Sequence, residues 1–131
     1  MYEGNCYCGS ITFTVDDELR DAIICHCSTC QHLHSALSSS IPTMLDKVSV
    51  TSAAKPKVYE DTRTGSGIPA KRYFCPECGS SVYAAGGPRG QAFIKTGTVV
   101  GAKEKVKVKA QMHSESALAG MLYSEIMQLK F

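Results

Sequence analysis

Cys25-His26-Cys27-Ser28-Thr29-Cys30 packs three cysteines into six residues, with spacings of one and two. Two pairs flank it, Cys6-Tyr7-Cys8-Gly9 upstream and Cys75-Pro76-Glu77-Cys78-Gly79 downstream, and these groups account for all seven cysteines of the chain. Thiolates this close in sequence can converge on one tetrahedral zinc ion. A structural zinc is closed by four protein ligands, whereas a catalytic one keeps three and leaves a position for water or substrate. The two pairs together offer four sulfurs and the triplet offers three. The composition therefore suits a closed site of Cys6, Cys8, Cys75 and Cys78 beside an open site of Cys25, Cys27 and Cys30. Spacing leaves other partitions open: the triplet could close with His26, His32 or His34, or a pair could join part of the triplet.

Disulfides are the competing reading of a small cysteine-dense chain. Against them, the count of seven is odd, no charged-then-apolar leader is read before Cys6, and Cys-x-Cys neighbours meet the geometry of a disulfide poorly. An iron–sulfur cluster is a third option, but its usual cysteine spacings differ from these.

Cys6-x-Cys8-Gly9, Cys25-His26-Cys27-x-x-Cys30-Gln31 and Phe74-Cys75-x-x-Cys78-Gly79-Ser80 occur in that order. From about Gly4 through Lys95-Thr96-Gly97-Thr98, the chain resembles the glutathione-dependent formaldehyde-activating enzyme family, which also includes centromere protein V-like members. The resemblance implies a small, mainly β, zinc-stapled fold of the zinc-ribbon-like β-tent kind. It implies two zinc ions per chain: a structural one on Cys6, Cys8, Cys75 and Cys78, and a catalytic one on Cys25, Cys27 and Cys30. The implied reaction adds glutathione to formaldehyde, giving S-hydroxymethylglutathione, or cleaves that carbon–sulfur bond. Past Gly101 the resemblance weakens; family members tend to carry an aromatic, often tryptophan-bearing segment there, and this chain has no tryptophan.

A chain of 131 residues supports one domain with a modest core, so residues 1–131 are expected to form a single zinc-binding domain. A net charge of +2 and a pI near 8.2 are too weak to argue for a nucleic-acid partner on their own, and none is expected. Lys103, Lys105, Lys107 and Lys109 alternate with Glu104, Val106 and Val108. That pattern reads as one solvated strand face in preference to a basic strip for an anionic partner. No apolar run is long enough to cross a bilayer, and with no leader read the expectation is cytoplasmic residence, the nucleus remaining open. Reduced thiols available to zinc fit that expectation.

Ile11-Thr12-Phe13-Thr14-Val15 alternates apolar with polar side chains, which predicts a strand with one buried face. Asp16-Asp17-Glu18 reads as a solvated turn. Ser28 and Thr29 predict a short turn or one helical turn aiming Cys27 and Cys30 inward, with their hydroxyls capping it or donating to sulfur. Further strands are predicted over 36–42, 46–51, 57–60, 71–74, 82–84 and 92–99, with a flexible loop over 61–69. That loop lacks the lysine and the strand–helix context of a phosphate-binding loop. Leu118, Met121, Leu122, Ile126 and Leu129 follow helical spacing, with Ser114 or Ser116 as caps. They predict a short C-terminal helix covering the sheet, a homodimer contact being the other reading.

His34 and His32 lie close to any open metal position, and His34 is the candidate proton carrier. His26, between two ligands, is expected to point away from the metal and act behind it. A zinc held by three thiolates is electron-rich, yet it can bind a further sulfur and keep it as a reactive thiolate. That chemistry suits a carbon–sulfur lyase whose partners are a small-molecule thiol such as glutathione and a small aldehyde. Cys25, Cys27 and Cys30 would act through the bound zinc, and His34 would move the proton. The alternative is a non-catalytic zinc-binding module for protein or nucleic acid. Such a module usually needs a basic extension or an exposed aromatic platform, and neither is evident.

Overall fold

The computed structural model describes residues 1–123 and 126–129. In chain order the elements are β1 (Tyr2–Asn5), β2 (Thr12–Val15), β3 (Ala22–Cys25), helix α1 (Ser28–His34), β4 (Ser38–Met44), β5 (Val48–Val50), β6 (Lys57–Asp61), β7 (Ala70–Phe74), β8 (Ser81–Gly86), β9 (Gln91–Lys95), a helical turn α2 (Ala102–Lys105), β10 (Val108–Met112) and β11 (Met127–Leu129). The mainly β architecture expected from the sequence is present. No helix among the described residues is long and apolar enough to cross a membrane.

The strands form a three-stranded antiparallel sheet in the order β1-β2-β5 and an eight-stranded sheet in the order β11-β10-β3-β4-β9-β8-β7-β6. Within the larger sheet β10 runs parallel to both β3 and β11, and every other pairing is antiparallel. The alternation read at 11–15 places Ile11, Phe13 and Val15 inward, against Ile41 of β4, Val82 of β8 and Ile94 of β9. Each such side chain contributes about 1.5–3 kcal/mol on burial. Cys6 and Cys75 lie in the same core, wholly shielded from water. The cysteine groups all sit at strand ends: one pair in the β1–β2 turn, one in the β7–β8 turn, and the triplet between β3 and the first turn of α1.

Three expectations are corrected. The acidic turn is not simply solvated: the Asp17 side chain is only 6% exposed, and it accepts hydrogen bonds from Thr43 Oγ1 at 2.8 Å and Arg20 Nη1 at 2.9 Å, with Lys47 Nζ at 3.7 Å. It ties the β2–β3 turn to β4. The lysine alternation does not begin in a strand, because Gly101, at φ 75°, starts the helical turn α2 and the chain becomes extended only near Val108. Lys103, Lys105, Lys107 and Lys109 are all exposed, as their charges require.

The C-terminal helix is absent from the described residues of that stretch: a 3-10 turn covers Ser114–Ser116, Gly120 follows at φ 84°, and the last described residues form β11. Helical spacing loses here to two costs. Glycine inside a helix is unfavourable by about 1 kcal/mol, and the outer edge of β10 presents backbone groups that a further strand satisfies. Ser124 and Glu125, also within the predicted helix, lie outside the described residues.

Gly4 shows how tightly β1 is seated. It pairs with Phe13 across the ladder and with Val99 on its other side. A methyl group there would collide with the Phe13 ring and approach Thr98 O to 2.5 Å. Gly4→Ala is therefore expected to destabilise the fold by about 1–3 kcal/mol, as overpacking does, lowering the thermal midpoint by roughly 3–8 °C. An unchanged midpoint in a calorimetric scan would show that β1 can shift away from Phe13.

Candidate metal centres

Cys6 and Cys8 from the β1–β2 turn meet Cys75 and Cys78 from the β7–β8 turn, with all four sulfurs within 4.8 Å of one another. A zinc tetrahedron with Zn–S of about 2.3 Å has S···S edges of about 3.8 Å. The observed Cys6–Cys8 and Cys8–Cys75 separations are 3.7 and 3.8 Å. The partition of two pairs into one four-sulfur centre is thus the one the fold builds, and no histidine or carboxylate joins it among the described residues.

The two turns are built alike. Gly9, at φ 82°, donates its N–H to Cys6 O at 3.1 Å, and Gly79, at φ 77°, donates to Cys75 O at 2.9 Å. Left-handed φ values favour glycine, which has no Cβ to clash. Each glycine is followed by a serine aimed at sulfur. Ser10 Oγ stands 3.1 Å from Cys8 Sγ and 3.3 Å from Cys75 Sγ, and Ser80 Oγ stands 3.1 Å from Cys78 Sγ while accepting the Tyr7 N–H at 3.0 Å. Ile11 N donates to Cys6 Sγ at 3.2 Å. Hydrogen bonds from the Ser80 hydroxyl and N–H, with one from Cys8, pull the Cys78 thiol down to about 5, favouring the thiolate a metal needs. The serines escaped the sequence reading, although the repeat Cys8-Gly9-Ser10 and Cys78-Gly79-Ser80 was there to see.

Cys25, Cys27 and Cys30 form the second centre, again within 4.8 Å. Cys27 is extended and caps α1, its Sγ accepting the Cys30 N–H at 3.3 Å. The helical turn foreseen at Ser28 and Thr29 therefore aims the sulfurs, but the cap is a cysteine and not a hydroxyl. Cys27 Sγ lies 3.1 Å from Cys30 Sγ, which also accepts from Ser38 Oγ on β4 at 3.2 Å. A hydrogen bond from Cys25, aided by Ser38, Cys27 and the Lys95 charge against the effect of burial, brings Cys30 down to about 5. Cys25 and Cys27 are held up by sharing protons with it and by burial. No fourth protein ligand stands within this cluster among the described residues.

The three neighbouring histidines separate. His26 is buried and turned to Gln111, with Nε2 and Oε1 at 2.9 Å. Because Gln111 Nε2 donates to Tyr123 O and its Oε1 accepts the Tyr123 N–H, Oε1 faces His26, so His26 Nε2 carries the proton. Gln31 Nε2 clamps the same loop, donating to His26 O at 2.8 Å and Ser116 O at 2.7 Å. His32 Nδ1 pairs with Ser28 O on its own helix, at 2.8 Å.

His34 points elsewhere, into two adjoining clefts of about 600 and 380 Å³ that it lines together with Ser81 and Lys95. Ser38, the donor to Cys30, lines the larger one. Lys95 ends β9, and its Nζ bonds Ser40 Oγ at 3.2 Å. Burial depresses its ammonium pKa while the Cys30 thiolate pulls the other way. The sequence reading missed it; the signal was a lone lysine closing the apolar run Ala92-Phe93-Ile94.

His34 is pushed down to about 4 by burial, then by the charges of Lys95 and Arg72. Its ring is therefore neutral at pH 7. Between its ordinary 6.5 and about 4, the unfolded chain takes up a proton that the folded ring refuses, so stability from this group falls as pH drops through that window. An NMR titration is expected to place the His34 midpoint near 4; a midpoint at or above 6.5 would contradict the buried, cation-flanked setting.

A family model described as glutathione-dependent formaldehyde-activating enzyme matches residues 1–116. A Schizosaccharomyces pombe protein named as an uncharacterized lyase is 34% identical over 87 residues, covering 64% of this chain and 57% of its own length. The aligned part thus spans little more than half of that relative. A crystal structure of a Rhodobacter sphaeroides protein matches with a TM-score of 0.57 and 25% identity, over 76% of this chain and 88% of that one. Because the family match runs through both cysteine clusters and the strands that carry them, the chain belongs to the glutathione-dependent formaldehyde-activating enzyme family.

Proposed function

We propose that the protein is a zinc-dependent carbon–sulfur lyase that joins or cleaves a glutathione-like thiol and a small aldehyde. The carrying observation is the contrast between the centres: one has four sulfurs, while the other has three and adjoins a cleft through Ser38. Cys6, Cys8, Cys75 and Cys78 would hold a structural zinc, and Cys25, Cys27 and Cys30 a catalytic one. When bound at the triplet, zinc supplies a site for a further sulfur and a Lewis acid for oxygen. The lyase name of the fission-yeast relative and the family's own description support the same class of chemistry. Seven free thiols suit a reducing compartment such as the cytoplasm.

In the joining direction the thiol loses its proton, the C–S bond forms as the carbonyl pair moves to oxygen, and that oxygen takes up a proton. Neutral His34 can accept the thiol proton on a ring nitrogen and return it to the oxygen. In the cleaving direction it takes the hydroxyl proton and gives it to sulfur. The Lys95 ammonium, acting on the Cys30 thiolate, favours ionised sulfur beside it.

Anaerobically purified protein is expected to carry two zinc ions per chain and to accelerate exchange between glutathione and ¹³C-formaldehyde. Cys27→Ser should lose one zinc and the activity, while His34→Gln should keep both zincs and lose about 100-fold in rate. Two metals that survive Cys27→Ser unchanged, with no acceleration of exchange by the wild type, would sink the proposal.

A further inference from the structure

The smaller cleft, of about 380 Å³, lies between α1 and the face of the large sheet beyond the triplet. Its floor follows from register. Tyr59 of β6, Arg72 of β7, Ala84 of β8 and Phe93 of β9 are successive cross-strand partners, so they form one row across the sheet. Ala84 is the smallest member of that row, and the methyl between a guanidinium and a ring leaves a depression. Leu33 on α1 and Tyr59 rise at its rim, each 47% exposed although nothing in the fold requires large apolar groups in water there. Single exposed apolar residues are ordinary, but a facing pair beside a concave floor is the arrangement of a ligand site.

The polar end of the cleft is of one sign. Arg72 and Lys95 line it beside the neutral His34 ring, and no carboxylate among the described residues does. Asp61 holds Arg72 from behind, accepting from Nε at 3.3 Å and Nη2 at 3.0 Å, which leaves Nη1 outside that pair. Lys95 has no ion pair with a carboxylate among the described residues, only the Ser40 hydroxyl. Arg72 lies close enough to disfavour the Lys95 charge, and both suppress protonation of His34. A bound anion would relieve that repulsion, and low-dielectric walls would strengthen its attraction.

We propose that this cleft binds an amphiphilic carboxylate, an aromatic or branched apolar body seated between Leu33, Tyr59 and Ala84 with its carboxylate at Lys95 and Arg72. That this group belongs to the thiol partner rests on the lyase reading above. Because Lys95 lines both this cleft and the larger one that Ser38 joins to Cys30, a thiol reaching the sulfurs would carry its non-reacting end into the depression.

The test titrates the zinc-loaded full chain with 3-phenylpropionate, with its primary amide and with propionate, followed by NMR and calorimetry. The first ligand is expected to saturate, shifting Tyr59, Arg72 and Lys95 resonances, and the other two to bind at least about tenfold more weakly. Lys95→Met and Ala84→Leu should each weaken 3-phenylpropionate by about tenfold or more, one by removing charge and the other by filling the floor, in proteins whose spectra remain folded. Equal binding of acid and amide, shifts confined to other surfaces, or full affinity in Ala84→Leu would overturn the proposal. None of these ligands carries a thiol, so the two readings fail separately. Thiol–aldehyde turnover without carboxylate binding removes the subsite alone, and carboxylate binding without turnover supports the subsite and removes the lyase.

Discussion

Four sulfurs drawn to within 4.8 Å of one another, from two turns as distant in sequence as Cys8 and Cys75, are the constraint on which the rest of the structure depends. As thiolates at about 3.8 Å and an effective dielectric of about 20, any two would repel by about 4 kcal/mol. As neutral thiols they attract one another weakly. Only a cation makes the gathering favourable, and the surroundings are built for one. Ser10 and Ser80 supply hydroxyls, the Ile11 N–H donates to Cys6, and Cys6 and Cys75 are sealed from water. Closing this cluster ties the small sheet to the β7–β8 hairpin of the large one. A staple of this kind suits a chain whose core is only a few large side chains deep.

The second cluster offers the same ligand chemistry, and it differs from the first in its support. In the first, a second turn supplies the last two sulfurs. In the second, the end of β3 and the start of the seven-residue helix that follows it supply all three, and residues around them face clefts. The loop between them is not left loose. Gln31 and Gln111 hold His26, which sits between two of the ligands, and the parallel pairing of β10 with β3 sets Met112 beside Cys25. Rigid backbone with an open ligand position is what a metal site needs in order to act on something else.

How much of this could be read from the sequence varies with the range of the interaction. Cysteine spacing is local, and it suggested a four-sulfur and a three-sulfur group while leaving other partitions open, which the folded positions of the sulfurs narrow to two clusters. Alternation at 11–15 is local too, and it located the buried face of β2. The structure parts from the sequence wherever a distant partner decides. Asp17 looked solvated because Thr43 and Lys47, which bury it, come later in the chain. The apolar spacing after residue 117 looked helical because the open edge of β10 cannot be seen in that stretch. Lys95 belongs to the same class, since a lysine ending a strand acquires meaning only when β4 and α1 bring Ser40, His34 and the thiols around it.

Charge placement explains why that lysine is tolerated. A buried ammonium is costly unless an opposite charge stands near it, and Arg72, its cationic neighbour, already has Asp61. The thiolates of the triplet are therefore the fold's own counter-charge for Lys95. Three thiolates around a divalent ion carry one net negative charge, which one ammonium cancels. In the proposed reaction a further anionic sulfur at the triplet would upset that balance by one unit, and Lys95 would oppose a lasting positive charge on the His34 ring. The same depressed pKa that keeps His34 neutral at pH 7 also makes it a weak base, so in the proposed reaction it would pass a proton on and not hold it.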